Sequence, residues 1–168
     1  MRAAAKRYPT VAINVLAKGY PICRYHRWMQ QISCLNSAQT RQLVSWFNDL
    51  WWTQGRTFDD VARMLDHCIV VGFTDSDDKL IAFARVISDR VYKALVLDVI
   101  VDENHRCQGL GATLMNAVMA HPFVSGCSHF ELYCAPELIA FYEQFGYTNQ
   151  LGELTLMRAA HSSSTKPI

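Results

Sequence analysis

The sequence lacks the cysteine and histidine spacings that hold metal ions. Six cysteines are spread along the 168 residues, with no Cys-x-x-Cys pair and no paired histidines. A zinc site or a disulfide framework is therefore not expected, and no metal cofactor is predicted. Unpaired cysteines are typical of a reducing compartment, so we expect a cytoplasmic protein.

Long apolar runs are also missing. No stretch reaches the roughly 18 residues that a membrane-spanning helix needs, so neither a transmembrane segment nor a membrane partner is predicted. With 51% hydrophobic and 18% charged residues, the composition is that of a globular protein and not of a disordered one. At 168 residues, we expect one domain that buries its own core.

Acidic residues are absent from the first 48 positions, where seven Lys or Arg occur. Such a start is typical of a transit peptide or a nucleic-acid-binding arm, or of an extension whose basic side chains are solvated. We interpret residues 1–35 as a basic extension that ends in a first strand, and residues 159–168 as a flexible tail. Because no basic stripe follows the extension, nucleic acid is not an expected partner.

Apolar periodicity between these ends predicts helices first and strands afterwards. Ser37 and Thr57 are expected to cap the first two helices. The predicted helices cover 38–52, 58–68, 109–121 and 136–146, and the predicted strands cover 69–73, 80–87, 92–101, 129–134 and 153–159. This order indicates an α/β or α+β domain built around a mixed sheet.

The segment RCQGLG, residues 106–111, joins the apolar strand at 92–101 to a helix. A strand, a glycine-containing loop and a helix together present backbone N–H groups to a phosphate. Neither the Walker pattern nor the dinucleotide pattern G-x-G-x-x-G is present. The loop therefore predicts a phosphate site of another kind.

Residues 99–115, VIVDENHRCQGLGATLM, resemble the acyl-CoA signature of the GNAT superfamily of N-acyltransferases, [RQ]-x-x-G-x-[GA] after a strand. Arg106, Gly109 and Gly111 match its three fixed places. A second segment, APELIAFYEQFGY, resembles the closing pattern of the same family. Two residues of the acyl-CoA signature segment differ from the family: relatives commonly have glycine at the place of Cys107 and proline at the place of Glu103.

Residues 84–102, ARVISDRVYKALVLDVIVD, also resemble the plastid and cyanobacterial arylalkylamine acetyltransferase branch.

The resemblance implies the fold and the cofactor of the domain at 36–158. The implied fold is a mixed, mostly antiparallel twisted sheet flanked by helices, with acyl-CoA bound in a splay between two central strands. Acetyl-CoA is the implied co-substrate, with its pyrophosphate held by backbone amides at the start of the helix. The implied cofactor-binding residues are Val99, Ile100, Val101, Arg106, Cys107, Gln108, Gly109, Leu110, Gly111, Ala112 and Tyr142.

Two residues are predicted to be catalytic. Tyr142 matches the family tyrosine that lies beside the coenzyme sulfur, and it is the predicted proton donor to the departing thiolate. Asp98 interrupts an apolar strand, where a carboxylate is costly unless it is hydrogen-bonded or useful. It is either a base or relay anchor, or a structural aspartate that accepts hydrogen bonds; we favour the first.

The acceptor is predicted from the segment between the first two helices, which shapes the acceptor pocket in relatives. Trp52 and Arg56 are the predicted substrate-binding residues, and the neighbouring Trp51 is expected to belong to the core. An aromatic pair suits an arylalkylamine or a cation. A small-molecule amine is therefore the expected substrate. A peptide amine and a non-catalytic acyl-CoA sensor are the alternatives, and a homodimer is compatible with the resemblance.

Overall fold

The computed structural model of the chain describes residues 28–159. Four α-helices and five strands are formed in this part, together with two short 3-10 turns at Glu103–His105 and Pro136–Leu138. The elements are β1 Gln30–Ile32, α1 Ser37–Asp49, α2 Phe58–Asp66, β2 Ile69–Thr74, β3 Leu80–Ser88, β4 Lys93–Val101, α3 Leu110–Met119, β5 His129–Leu132 and α4 Ile139–Glu143. The predicted order of helices and strands is confirmed up to α4.

The described strands form one sheet in the order β1-β2-β3-β4-β5. All neighbouring pairs are antiparallel except β4 and β5, which are parallel. The predicted hairpin is β2 and β3, whose turn is closed by backbone hydrogen bonds between Asp75 and both Asp78 and Lys79. The sheet is therefore mixed and mostly antiparallel, as predicted.

The first helix begins one residue earlier and ends three residues sooner than the sequence indicates. Asn36, not Ser37, is the N-cap, since its side chain accepts from two backbone amides while the Gln39 side chain accepts from the Asn36 amide. The helix ends at Asp49, since Leu50 takes an extended conformation, and the Thr53 hydroxyl donates to the carbonyl of Phe47 at 2.7 Å. The predicted cap at Thr57 is confirmed.

The sheet separates two apolar clusters. Helix α3 and Tyr142 pack on one face with Val71, Val86 and Val96, and α1 and α2 pack on the other face with Val70, Phe83 and Ile100. Strand β4 thus contributes to both clusters, which confirms that it is covered on both faces. Burial of this kind contributes about 25 cal/mol per Å² of apolar surface removed from water.

The C-terminal end departs from the predictions. The predicted helix over 136–146 is a 3-10 turn followed by the short α4, and the predicted strand over 129–134 ends at Leu132. The predicted last strand, 153–159, is wrong: its residues are exposed and pair with no strand. Its alternating apolar side chains suit a half-buried strand, but its backbone has no ladder to join, so β5 is the edge of the described sheet.

Most of the predicted basic extension, residues 1–27, and the tail residues 160–168 lie outside the described residues. Between 28 and 159, no helix is long and apolar enough to cross a membrane. In the same range, no group of three or more His, Cys, Asp or Glu side chains is placed to hold a metal ion.

Candidate active site

A β-bulge interrupts β4 at the residue that the sequence singled out. Arg85 on β3 pairs with Leu97, but Phe83 pairs with Ile100, so two residues of β4 oppose one of β3. Asp98 takes the extra place with a φ of 51°, in the left-handed region. Bulges bend a strand and increase its twist.

Beyond the bulge, β4 loses its neighbour on one side. The ladder between β4 and β5 ends at Val96 and Leu132, whereas β4 continues for five more residues to Val101. The β5-facing edge of residues 97–101 therefore carries no strand among residues 28–159. An open edge of this length presents backbone N–H and C=O groups to an extended ligand.

The loop after β4 turns tightly toward α3. The Arg106 Nε donates to the carbonyl of Val101 at 3.1 Å, which holds the arginine beside the end of the strand. Cys107 and Gly109 both have positive φ, at 57° and 83°. Glycine adopts this conformation without strain, whereas a cysteine does so at a cost.

Helix α3 begins with backbone donors that no side chain caps. Gly109 is its N-cap and supplies no side-chain hydrogen bond, so the first amides, at Leu110, Gly111 and Ala112, are not capped by a side chain. The ten-residue helix directs the positive end of its dipole at the same place. This end is suited to bind a phosphate group next to Arg106.

Tyr142 on α4 lies on the same side of the sheet as the start of α3. Its ring is buried, 6% exposed, in the cluster that contains Leu110 and Leu114. The neighbouring Phe141 lies close to Gly111, where a Cβ would be 3.4 Å from the phenyl Cζ. Burial, with a smaller contribution from Cys134, raises the pKa of Tyr142 to about 12. The hydroxyl therefore stays protonated at neutral pH and can act as a donor.

The connection between α1 and α2 lies on the opposite side of the sheet. Trp51 and Trp52 are both exposed, 70% and 50%, and their rings meet edge to face at 5.7 Å. The expectation that Trp51 belongs to the core is therefore wrong, because the turn after Asp49 directs it to the surface. Arg56 points inward, with its guanidinium 4.3 Å from the Phe47 ring centroid and 2.8 Å from Asp98 Oδ2.

Three features thus follow one another along the chain: an open strand edge, a loop with uncapped helix amides, and a buried phenol donor. Together they suit a ligand that has an extended amide-bearing arm ending in a diphosphate. The profile of the Acetyltransferase (GNAT) family matches residues 32–147. The chain belongs to this family.

Solved structures of the GNAT fold agree with this. A GNAT-family protein from Xanthomonas campestris pv. campestris is 31% identical, with a TM-score of 0.69 over 79% of this chain and 93% of the other. The glucosamine-6-phosphate N-acetyltransferase of Arabidopsis thaliana is 19% identical, with a TM-score of 0.62 over 80% of this chain and 98% of the other. At that identity, the second likeness supports the fold alone.

Curated relatives include proteins from a plant and from a cyanobacterium. Serotonin N-acetyltransferase 2, chloroplastic, of Oryza sativa subsp. japonica is 33% identical over 96 residues, 55% of this chain and 48% of the relative. The uncharacterised N-acetyltransferase ycf52-like of Prochlorococcus marinus is 30% identical over 122 residues, 70% of this chain and 66% of the relative. The chain thus spans about half to two thirds of the length of these relatives. The predicted likeness to the plastid and cyanobacterial branch is confirmed.

The GNAT fold brings most of the predicted cofactor residues onto one path. Residues 99–101 and 106–112 lie consecutively along the end of β4, the loop and the first turn of α3, and Tyr142 packs beside that turn. Val99 and Val101 direct their side chains to the α3 cluster, and Ile100 directs its side chain to the opposite cluster. Cys107 is exposed on the loop. The binding roles of these residues stay predictions.

Two residues of the site were missed by sequence reasoning. Arg85, on β3, donates from Nε to Asp98 Oδ2 at 2.6 Å and is 11% exposed at its side chain. An arginine inside an otherwise apolar strand was the available signal, of the same kind that singled out Asp98. Phe141 belongs to the closing pattern and is a candidate core aromatic, but its contact with Gly111 depends on a tertiary arrangement that no local pattern records.

Proposed function

We propose that this GNAT protein transfers an acetyl group from acetyl-CoA to the primary amine of a small molecule by direct attack. Members of the family use acetyl-CoA, and the named relatives are N-acetyltransferases. The nitrogen forms a bond to the acetyl carbon as the carbon–sulfur bond breaks. The proton lost by nitrogen balances the one gained by sulfur, so no redox partner or further co-reactant is required.

One observation carries this proposal: the open edge of β4 leads directly into the uncapped start of α3. The backbone of 99–101 is available to pair with the pantetheine arm as a strand would. The amides of 110–112 and the side chain of Arg106 are then available to the pyrophosphate. No metal is needed for either contact.

Tyr142 is the proposed proton donor to the thiolate. Its raised pKa, about 12, keeps the hydroxyl protonated throughout the physiological range. A thiol has a pKa of about 8.5, so lasting transfer from tyrosine is unfavourable by itself. The phenol is therefore proposed to hydrogen-bond the developing thiolate and to pass on the proton that the attacking nitrogen releases.

The acceptor must reach the site as a neutral amine. An alkylammonium has a pKa of about 10.4, so deprotonation at pH 7 costs about 4.6 kcal/mol. A base or a water relay is expected to share this cost. Asp98 is the predicted base, but the two arginines that bind its carboxylate favour a different role.

An arylalkylamine is the proposed acceptor class. The exposed Trp51–Trp52 pair offers aromatic surface on the α1–α2 connection, and serotonin, named for the rice relative, belongs to that class. A peptide amine is the alternative. Names of plant relatives state a chloroplast location, while a cytoplasmic location and a homodimer stay predictions for this chain.

Thiol release from acetyl-CoA, measured with a panel of amines, tests the proposal. The panel contains serotonin, tryptamine, a polyamine, glucosamine 6-phosphate and a lysine peptide, and mass spectrometry identifies each product. We expect acetylation of the two arylalkylamines, serotonin and tryptamine, above a control with a tertiary amine, which cannot form a stable amide. Preference for the peptide would select the alternative substrate. Calorimetric binding of acetyl-CoA without turnover of any amine would overturn the catalytic proposal.

A further inference from the structure

The bulge at Asp98 is held from two sides by arginines distant in sequence. Arg56, on the α1–α2 connection, binds both carboxylate oxygens, at 2.8 and 3.3 Å. Arg85, on β3, donates to Oδ2 at 2.6 Å. The Asp98 side chain is 5% exposed, and each oxygen accepts at least one hydrogen bond. Such a carboxylate is poorly placed to take a proton from a substrate.

The surroundings of this cluster are packed. The Arg56 guanidinium lies over the Phe47 ring and 4.0 Å from the Met64 sulfur, so helices α1 and α2 both contact it. Cys68 is within electrostatic reach of Arg85 and Asp98, and also of Asp66; burial raises the pKa of Cys68 to about 11, so the thiol stays neutral. The three paired groups, Arg56, Arg85 and Asp98, carry two positive charges and one negative charge. Removing the carboxylate would leave both guanidinium groups without their shared partner.

The position of the cluster is also specific. Asp98 is the residue that shifts the register of β4 against β3, two residues beyond the last pair between β4 and β5. Asp98 thus lies within the open edge, residues 97–101, near the point where pairing with β5 ends. Arg56 belongs to the same connection as the exposed Trp51 and Trp52.

We propose that Asp98 is a positioning residue: by binding Arg56 and Arg85 it fixes the bulge that opens β4 and joins this strand edge to the α1–α2 connection. The inference rests on the proposed function, which assigns acetyl-CoA to the open edge at 97–101 and the acceptor amine to the α1–α2 connection. A change at Arg56 is transmitted through Asp98 to the backbone of 97–101. Neither arginine touches the carrier in this scheme.

Arg56→Gln is the central variant, because Arg56 is the more exposed partner at 27% and the Asp98–Arg85 pair remains. We expect faster hydrogen exchange of the amides at 97–101 and acetyl-CoA affinity about tenfold weaker. Asp98→Asn, which tolerates the left-handed conformation, and the double variant complete a cycle. The double variant should bind acetyl-CoA no more weakly than Asp98→Asn alone.

Asp77→Asn, in the exposed β2–β3 turn, is the control for loss of a carboxylate and should match the wild type in both measurements.

The pH dependence of kcat/KM separates positioning from base catalysis. If Asp98 positions the strand, Arg56→Gln and Asp98→Asn lower the plateau and leave the midpoint of the acid limb in place. A vanished acid limb in Asp98→Asn alone would overturn the proposal in favour of a base. Arg56→Lys should recover part of the loss, since it keeps the charge without the two-pronged geometry.

The failure of this inference is distinct from failure of the proposed function. Unchanged exchange at 97–101 in Arg56→Gln would overturn the positioning role even in an active acetyltransferase, as would additive effects in the cycle. If the wild type acetylates no amine, the exchange measurement and acetyl-CoA calorimetry still decide the inference. If Asp98→Asn does not fold, Arg56→Gln and Arg56→Lys provide the same test.

Discussion

Phe141 of α4 lies against Gly111 of α3, so that a Cβ built at Gly111 would be 3.4 Å from the Phe141 Cζ and 3.8 Å from the Val101 Cγ2. This contact joins three parts of the site: the end of β4, the start of α3, and the helix that carries Tyr142. A methyl group at Gly111 would be in ordinary contact with both side chains, and a larger, branched side chain is expected to crowd Phe141.

Gly111→Ala should therefore be tolerated. Alanine favours the helix over glycine by about 0.5–1 kcal/mol, which offsets a small adjustment of Phe141. Gly111→Val should displace Phe141 and destabilise the fold by about 1–3 kcal/mol, with weaker acetyl-CoA binding. Urea unfolding and calorimetry on the two variants check this. Loss of binding in the alanine variant would show that Gly111 serves the ligand and not the contact.

Cys107 departs from the family pattern at a place where the backbone conformation favours glycine. Its φ of 57° costs a residue with a Cβ about 1–2 kcal/mol of strain. Glycine avoids this strain but loses more chain entropy on folding, which offsets part of the gain. Cys107→Gly should thus leave the free energy of unfolding unchanged or raise it by up to about 1 kcal/mol. Cys107→Ala keeps the strain and removes the thiol, so it should show no gain. An equal gain in both would assign the effect to the thiol.

The loop at 106–111 was easier to predict from sequence than the bulge at Asp98 and its arginine partners. The spacing of Arg106, Gly109 and Gly111 is local, and so are the strand before it and the helix after it; the structure confirms both elements. The bulge was not predictable, because alternation in an apolar strand does not reveal an extra residue. The arginine partners of Asp98 lie 42 and 13 residues away in sequence, and only the sheet brings them together.

Capping and the sheet edge illustrate the same limit at smaller scale. Asn36 and Ser37 are both good N-cap residues, and the choice depends on Gln39, which completes a capping box with Asn36 alone. The segment 153–159 has the alternation of a strand, but pairing requires a neighbour that sequence does not specify.

His121, just after α3, should make stability depend on pH. The pKa of His121 is lowered below its ordinary value, mainly by burial and to a smaller extent by the positive charge of Arg90. The unfolded chain therefore binds a proton first as the pH falls below about 6.5, and stability declines from there until the folded pKa is passed. In His121→Gln this part of the decline should disappear. Urea midpoints at pH 7 and pH 5 measure the difference; equal declines in both proteins would contradict it.

Tyr142→Phe tests the proposed proton donor. The ring and its packing against Phe141 and Tyr147 remain, so acetyl-CoA affinity should stay nearly unchanged. The rate should fall about 100-fold or more, because the departing thiolate loses its donor. Since the pKa of Tyr142 is about 12, the wild-type rate should show no decline from tyrosine ionisation below about pH 10.

Tyr147→Phe is the matched control for this experiment. Its ring lies 6.0 Å from that of Tyr142, and its buried hydroxyl has no hydrogen-bond partner within residues 28–159. Burial raises the pKa of Tyr147 as well, so both hydroxyls are protonated and only their positions differ. Removing an unpaired buried hydroxyl should leave the rate unchanged and stability equal or higher. If both variants lose the same activity, the effect comes from the packing of the aromatic cluster, and Tyr142 is not the donor.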